Sequence, residues 1–104
     1  VPRIHLVCRN RKYLTEKSYP EFESGFWTLY EKEATGLIGG MLYLHDKKTE
    51  PSYFGGRIAG YRLAALDEPR PGKIVFTVVA EDTGKDVAWE GDTHPMAWMG
   101  GILS

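Results

Sequence analysis

The chain has 104 residues, 42% of them apolar and 26% charged, enough for one globular domain with one modest core and too few for two. Thirteen Lys and Arg against fourteen Asp and Glu leave a net charge of −1, so no global field draws the protein onto nucleic acid or membrane, and any anion binding must be local. The single cysteine, Cys8, excludes an intramolecular disulfide framework and a thiolate-rich zinc site, the usage expected of a cytoplasmic protein.

The opening Val1-Pro2-Arg3 lacks the apolar core of a signal peptide, and no run approaches the roughly 20 apolar residues of a membrane helix. A start at Val and not Met leaves processing, tag cleavage and excision from a longer protein all open.

Ile4 to Cys8 is short and apolar and runs into the charged Arg9-Asn10-Arg11-Lys12, which predicts a first strand followed by an exposed loop. Tyr13 to Phe26 mixes Pro20, Gly25 and serines with Tyr19, Phe22 and Phe26 and is expected to be a long connection pinned by aromatic anchors. Thr28 to Leu37 predicts a helix, with Thr28 as cap, Glu31 as its capping-box partner and Gly39-Gly40 as the stop. Leu29 or Tyr30, Ala34, Leu37 and Ile38 would form its apolar face.

From Gly40 the period changes to two. Strands are expected over Met41 to His45, Ile58 to Leu66 and Ile74 to Glu81, then a turn at residues 82–85 and a hairpin partner over Asp86 to Glu90. The segment His94 to Leu103, rich in Met and Trp, is expected to close the sheet. Five or six short strands with one or two short helices predict a mainly β (α+β) fold, a small, partly open barrel in a single domain spanning 1–104.

Two segments are locally basic. Residues 1–20 carry five basic side chains against Glu16, and residues 43–62 carry four, Lys47, Lys48, Arg57 and Arg62, against Asp46 and Glu50. If the first strand and the Tyr43 strand are neighbours, their loops meet at one rim and form a cationic mouth. Lys and Arg there would meet phosphates, the Gly55-Gly56 pair would expose backbone N–H groups, and Trp27, Tyr53 or Phe54 would stack on a base. Trp27 follows the long connection and precedes the helix, a place from which a side chain can cover a mouth.

Other chemistry is less well supported. His5, His45 and His94 sit in no metal-ligand spacing, and Cys8, three residues from His5 on a strand, would point to the opposite face. Cys8 lies in an apolar strand and is expected in the core, not as a nucleophile. Lys47 or Lys48 with Thr49 and Glu50 offers acid and base groups, but contiguous loop residues face different ways. No metal and no cofactor are expected.

The order of short strand, loop, helix ending in Gly-Gly, strand Met41 to His45, loop Lys47 to Gly56 and strand Arg57 to Arg62 resembles the PUA-like superfamily, especially its EVE and ASCH branches. That resemblance implies a small β-barrel whose cleft takes RNA or a flipped, modified DNA base, with His45, Lys47, Ser52, Tyr53 and Phe54 at the rim. The resulting expectation is a binding module in which Arg9, Arg11, Lys47 and Lys48 contact phosphates, Trp27, Tyr53 or Phe54 stack, and Ser52 with the Gly55-Gly56 backbone hydrogen-bonds the ligand. The alternatives are an ASCH-type hydrolase or ribonuclease using Lys47 or Lys48 with Glu50, and a protein-interaction or small-ligand regulatory domain in which Met96, Trp98 and Met99 form an apolar patch.

Overall fold

The computed structural model describes residues 1–91 and 99–103. Its strands are β1 (Arg3–Val7), β2 (Leu14–Ser18), β3 (Glu21–Trp27), β4 (Met41–His45), β5 (Phe54–Leu63), β6 (Ile74–Ala80) and β7 (Met99–Leu103), with one helix, α1 (Glu31–Leu37), and two short 3-10 turns at Arg9–Arg11 and Asp82–Gly84. The fold is mainly β, but seven strands form it, and they make one mixed sheet in the order β2-β3-β6-β5-β4-β1-β7. The sheet ends at β2 and β7 and does not close into a barrel.

Alternation sorts the side chains of the sheet onto two faces. Ile4 and Leu6 of β1, Leu42 and Leu44 of β4, Phe54 and Ile58 of β5 and Phe76 and Val78 of β6 form the buried core, joined by Phe22 of β3. Ala34 and Leu37 of α1 pack into the same cluster, so the helix covers this face. Phe22 meets Phe54 edge-on at 5.0 Å, which ties the β3 side of the sheet to the β4–β5 side.

β1 lies parallel to β4, with Arg3 opposite Met41 and Val7 opposite His45, so the loops leaving their C-terminal ends emerge at the same rim. On the far side β1 pairs antiparallel with β7. The register places Arg3, His5 and Val7 beside Met41, Tyr43 and His45 on the face turned away from the core.

Several expectations need correction. The 13–26 connection is the β2–β3 hairpin: β2 sits at the edge of the sheet with Thr15 to Ser18 all exposed, so no apolar alternation advertises it. Strand β5 begins at Phe54, because Leu44 pairs with Phe54 and Tyr43 with Gly55, so the Gly55-Gly56 pair belongs to a strand and not to a loop. α1 starts at Glu31, and Glu33, not Glu31, closes its first turn by accepting the Tyr30 N–H at 3.0 Å. Leu29 packs against the core, whereas Tyr30 and Ile38 are exposed. Residues 86–90 form no strand; Asp86 sits in a bend at a φ of 59°, and 87–90 run on without regular structure as a strap against the sheet.

Ser52 anchors the start of that strap. Only 2% exposed, it donates through Oγ to the Gly84 carbonyl at 2.6 Å and accepts the Val87 N–H at 3.0 Å. Its backbone exchanges two more bonds, Ser52 N–H to the Val87 carbonyl at 2.8 Å and Asp86 N–H to the Ser52 carbonyl at 2.7 Å.

Candidate functional site

A cleft of about 450 Å³ opens between the C-terminal end of β1, with the turn that follows it, and the C-terminal end of β3. Val7, Cys8, Arg9 and Lys12 form one wall, Gly25, Phe26, Trp27 and Thr28 the other, with Tyr13 and Arg70 completing it. β1 and β3 are separated in the sheet by β6, β5 and β4, so the sheet must curl for their ends to share a cleft. The lining combines three cations with three aromatic rings.

Each wall has a local cause. After β1 the chain reverses through Asn10, Arg11 and Tyr13, all at positive φ of 58, 57 and 62°. Left-handed backbone costs a non-glycine residue about 1–2 kcal/mol, so such a turn must be held from outside. Asp46 holds it by accepting the Asn10 N–H at 2.9 Å, and the Tyr53 hydroxyl donates to the Cys8 carbonyl. Cys8 N–H donates to the His45 carbonyl at 2.8 Å, which extends the β1–β4 pairing into the turn. On the opposite wall, the Trp27 indole N–H donates to Ser24 Oγ at 3.1 Å, which fixes a side chain that lines the cleft. Phe26 and Tyr13 meet edge-on at 4.9 Å, and the Lys12 ammonium stands 5.1 Å above the Tyr13 ring.

Arg70 arrives on the β5–β6 loop, which is held by a charge cluster. Arg62 of β5 donates two hydrogen bonds to Glu68, at 2.6 and 2.9 Å, and two to Glu23 of β3, both at 3.1 Å. Glu68 also accepts the Ala65 N–H at 2.7 Å. The Arg62 hydrogen bonds, and then the Ala65 N–H, hold the Glu68 carboxyl down at about 2, while Arg62 itself is raised by Glu68 and then Glu23. Arg62 therefore fixes Glu68, two residues before Arg70 on the same loop, and backbone bonds from Gly72 N–H to the Ala64 carbonyl at 2.9 Å and from Lys73 N–H to the Arg70 carbonyl at 3.2 Å hold the loop further on. Glu68→Gln removes one charge from the clamp, and amide exchange at Ala65 is expected to quicken at neutral pH. The folded carboxyl titrates lower than the unfolded one, so its stabilisation is complete above about 4.5 and is lost as pH falls toward about 2. The variant should show a correspondingly shallower loss of stability across that range.

The residues singled out from sequence divide between this cleft and other places. Arg9 and Trp27 line it. Arg11 lies 5.5 Å from the centre of the Tyr53 ring, on the outer side of the same turn. The two basic loops do meet, through Asp46 and Asn10, but Lys47 and Lys48 are not among the lining residues; Lys47 is exposed, and the Lys48 ammonium stands 5.3 Å above Trp89. Phe54, 4% exposed, is a core side chain, because its strand begins earlier than the pattern suggests. Tyr53 is half-buried with its hydroxyl committed to Cys8, and burial raises its pKa. Ser52 anchors the strap, and Gly55 and Gly56 give their backbones to close packing, Gly55 against Gly84 and Gly56 against Val79. His45 is fully buried. Cys8 is buried in the core cluster as expected, donates to the Lys12 carbonyl at 3.0 Å, and has its thiol pKa raised by burial.

Nothing in the pattern singles out Arg70, because it lies in the Pro- and Gly-rich connection between β5 and β6, far in sequence from the other lining residues. Phe26 does stand out in sequence as an aromatic anchor and Lys12 as part of the first basic segment, whereas Tyr13 marks only the start of the connection. Among the described residues no group of three or more His, Cys, Asp and Glu side chains is arranged to hold a metal ion, and no helix is long and apolar enough to cross a membrane. His94, Met96 and Trp98 lie outside the described residues.

Comparison of the chain with protein-family models, curated proteins and solved structures returns no match.

Proposed function

We propose that the chain is a nucleic-acid-binding module that takes an unstacked base, of RNA or a modified base flipped from DNA, into the cleft between Cys8 and Trp27. The observation that carries this reading is the convergence of Arg9, Lys12 and Arg70 with Tyr13, Phe26 and Trp27 on one cleft, in a chain whose net charge is −1. Cations gathered at one place in a near-neutral protein make a local attraction for phosphate, and flat rings beside them offer a stacking surface. The cleft volume of about 450 Å³ falls in the range of about 300–1,000 Å³ usual for sites that enclose a small molecule, which suits one nucleotide better than a duplex. The reading accords with the PUA-like resemblance, in which a small β structure carries such a cleft. It moves the contacts away from Lys47, Lys48 and the 52–56 segment and onto Lys12, Arg70, Tyr13 and Phe26.

The test is a titration of labelled single-stranded RNA, single-stranded DNA and duplexes carrying modified bases, each repeated over a series of salt concentrations. Single strands should bind, or a modified duplex should outcompete its unmodified counterpart. The double variant Lys12→Ala, Arg70→Ala should reduce the slope of log affinity against log salt by about 0.7 for each single-strand phosphate that the variant no longer neutralises. An unchanged slope, or no binding of any of these probes, would overturn the proposal.

A further inference from the structure

On the face turned away from the core, His5 and His45 form a buried chain of hydrogen bonds that the cleft does not use. The Glu50 carbonyl lies 2.8 Å from His45 Nδ1, His45 Nε2 lies 2.8 Å from His5 Nδ1, and His5 Nε2 lies 3.2 Å from Glu90 Oε1. Both imidazoles are fully buried, whereas the Glu90 side chain at the end of the strap is 44% exposed. Trp89 closes the arrangement, edge-on to both rings at 5.8 and 5.0 Å, and Tyr43 stacks on His5 at 4.6 Å.

Counting protons along this chain gives a result that neither ring alone would give. A carbonyl and a carboxylate both accept, so His45 Nδ1 and His5 Nε2 must each carry a hydrogen. The nitrogen-to-nitrogen link between the rings needs one more. Three links need three protons, but two neutral imidazoles hold two. With only two, one link sets a lone pair against a lone pair; with four, two N–H groups collide at 2.8 Å. We propose that His5 and His45 act as a single one-proton unit whose third proton fastens Glu90, and with it the 86–90 strap, onto the sheet.

The link that fails in the two-proton form is the one to Glu90. It is the longest of the three and the only one that ends on a carboxylate, and Glu90 keeps a second partner, Arg3, which donates to its two oxygens at 2.7 and 2.9 Å. The proton enters from a buffer acid by way of Glu90, since neither ring touches solvent. Charges facing the pair act in both directions. Arg3 of β1 opposes the third proton and Glu90 of the strap favours it, while Lys48, from the 46–53 loop, stands over Trp89. From β4 the titratable neighbour is Tyr43; β5 offers Gly55 there, and its nearest charge on this face, Arg57, is paired with Glu81 at 3.2 Å. The described residues of β7 bring no titratable side chain. Burial dominates and lowers both histidines, so the third proton is held on the acid side of the usual histidine range.

This device is independent of what the cleft binds. The test is a pH titration of histidine ring nitrogens by NMR on the intact chain, alongside amide exchange across residues 86–90 corrected for its intrinsic pH dependence. The rings of His5 and His45 should change together, with one midpoint below about 6.5 and the uptake of one proton, and the strap amides should become better protected through the same midpoint. Glu90→Gln supplies a side-chain N–H that can donate to the bare His5 Nε2, so the two-proton form becomes complete. In that variant the midpoint should fall by about 1–3 units, and strap protection should already be high at neutral pH. Uptake of two protons, independent midpoints for the rings, or a midpoint unmoved by Glu90→Gln would each overturn the proposal.

Discussion

Replacing Gly55 by Ala is expected to lower the stability of the folded chain by about 3 kcal/mol, at the upper end of the range for overpacking. A methyl group at Gly55 would lie 2.6 Å from the Gly84 carbonyl oxygen and 2.7 Å from the Gly84 Cα. The reciprocal substitution is as crowded, with the Gly84 methyl 2.4 Å from the Gly55 Cα. Both contacts are backbone on backbone, so no rotamer change relieves them; the Asp82–Gly84 turn must lift from β5. That lift draws the Gly84 carbonyl away from Ser52 Oγ, at 2.6 Å, and leaves a buried hydroxyl short of a partner, which costs about 1–3 kcal/mol in its own right. Gly36→Ala provides the contrast. Nothing lies within 4 Å of a methyl group there, and the residue is in α1, so that change should raise stability by about 0.5–1 kcal/mol. Denaturant unfolding of the three proteins should therefore rank Gly36→Ala above the natural sequence, and both above Gly55→Ala. Equal midpoints for Gly55→Ala and the natural sequence would show that the turn does not rest on the strand.

That pair of glycines also marks what the sequence could and could not disclose. A Gly-Gly before Arg57 reads as a turn or as open backbone for a ligand, since both uses need the same absence of a side chain. Only the partner distinguishes them, and Gly84 is 29 positions away, brought back by the β5–β6 hairpin. Strands whose apolar residues alternate, such as Met41–His45 and Ile74–Ala80, declare themselves by period two, the first with the expected limits and the second ending one residue before the expected Glu81. β2 does not, because an edge strand with both faces wet has no period to read. The histidine pair was within reach. Once β1 and β4 are taken as parallel neighbours, residues 5 and 45 fall on one face, a diagonal apart, but fixing the register requires the structure. Glu90 was not, because its segment looks like a hairpin strand and is instead a strap. The same loss of long-range information scattered the site: Arg9 and Trp27 carry short-range signals of charge and position, whereas Arg70 comes to the cleft on a loop whose folding back depends on pairings between β5 and β6 and on Arg62 bridging Glu23 and Glu68.

Trp27→Ala is expected to weaken oligonucleotide binding by about 5- to 150-fold, the equivalent of the roughly 1–3 kcal/mol that stacking on one aromatic ring contributes per base. The indole lies at the end of β3, where Trp27 pairs with Ile74, and its N–H is spent on Ser24 within the protein, so what it offers a ligand is its flat face. Stacking of this kind displaces few counterions. The loss should therefore be the same at low and high salt and leave the salt slope intact, opposite to the Lys12→Ala, Arg70→Ala double variant, which should flatten the slope. Because Trp27 also packs against the core, truncation removes apolar packing, and Trp27→Phe keeps an aromatic ring while restoring most of it. The Phe variant should recover a large part of the affinity, although it lacks the Ser24 bond that fixes the ring. Measured together, the two substitutions and the double variant separate a base stacked in the cleft from a strand held only by its phosphates. Full affinity in Trp27→Ala with a flattened slope in the double variant would leave an anion site without base recognition, and full affinity in all of them would place the nucleic acid elsewhere on the protein.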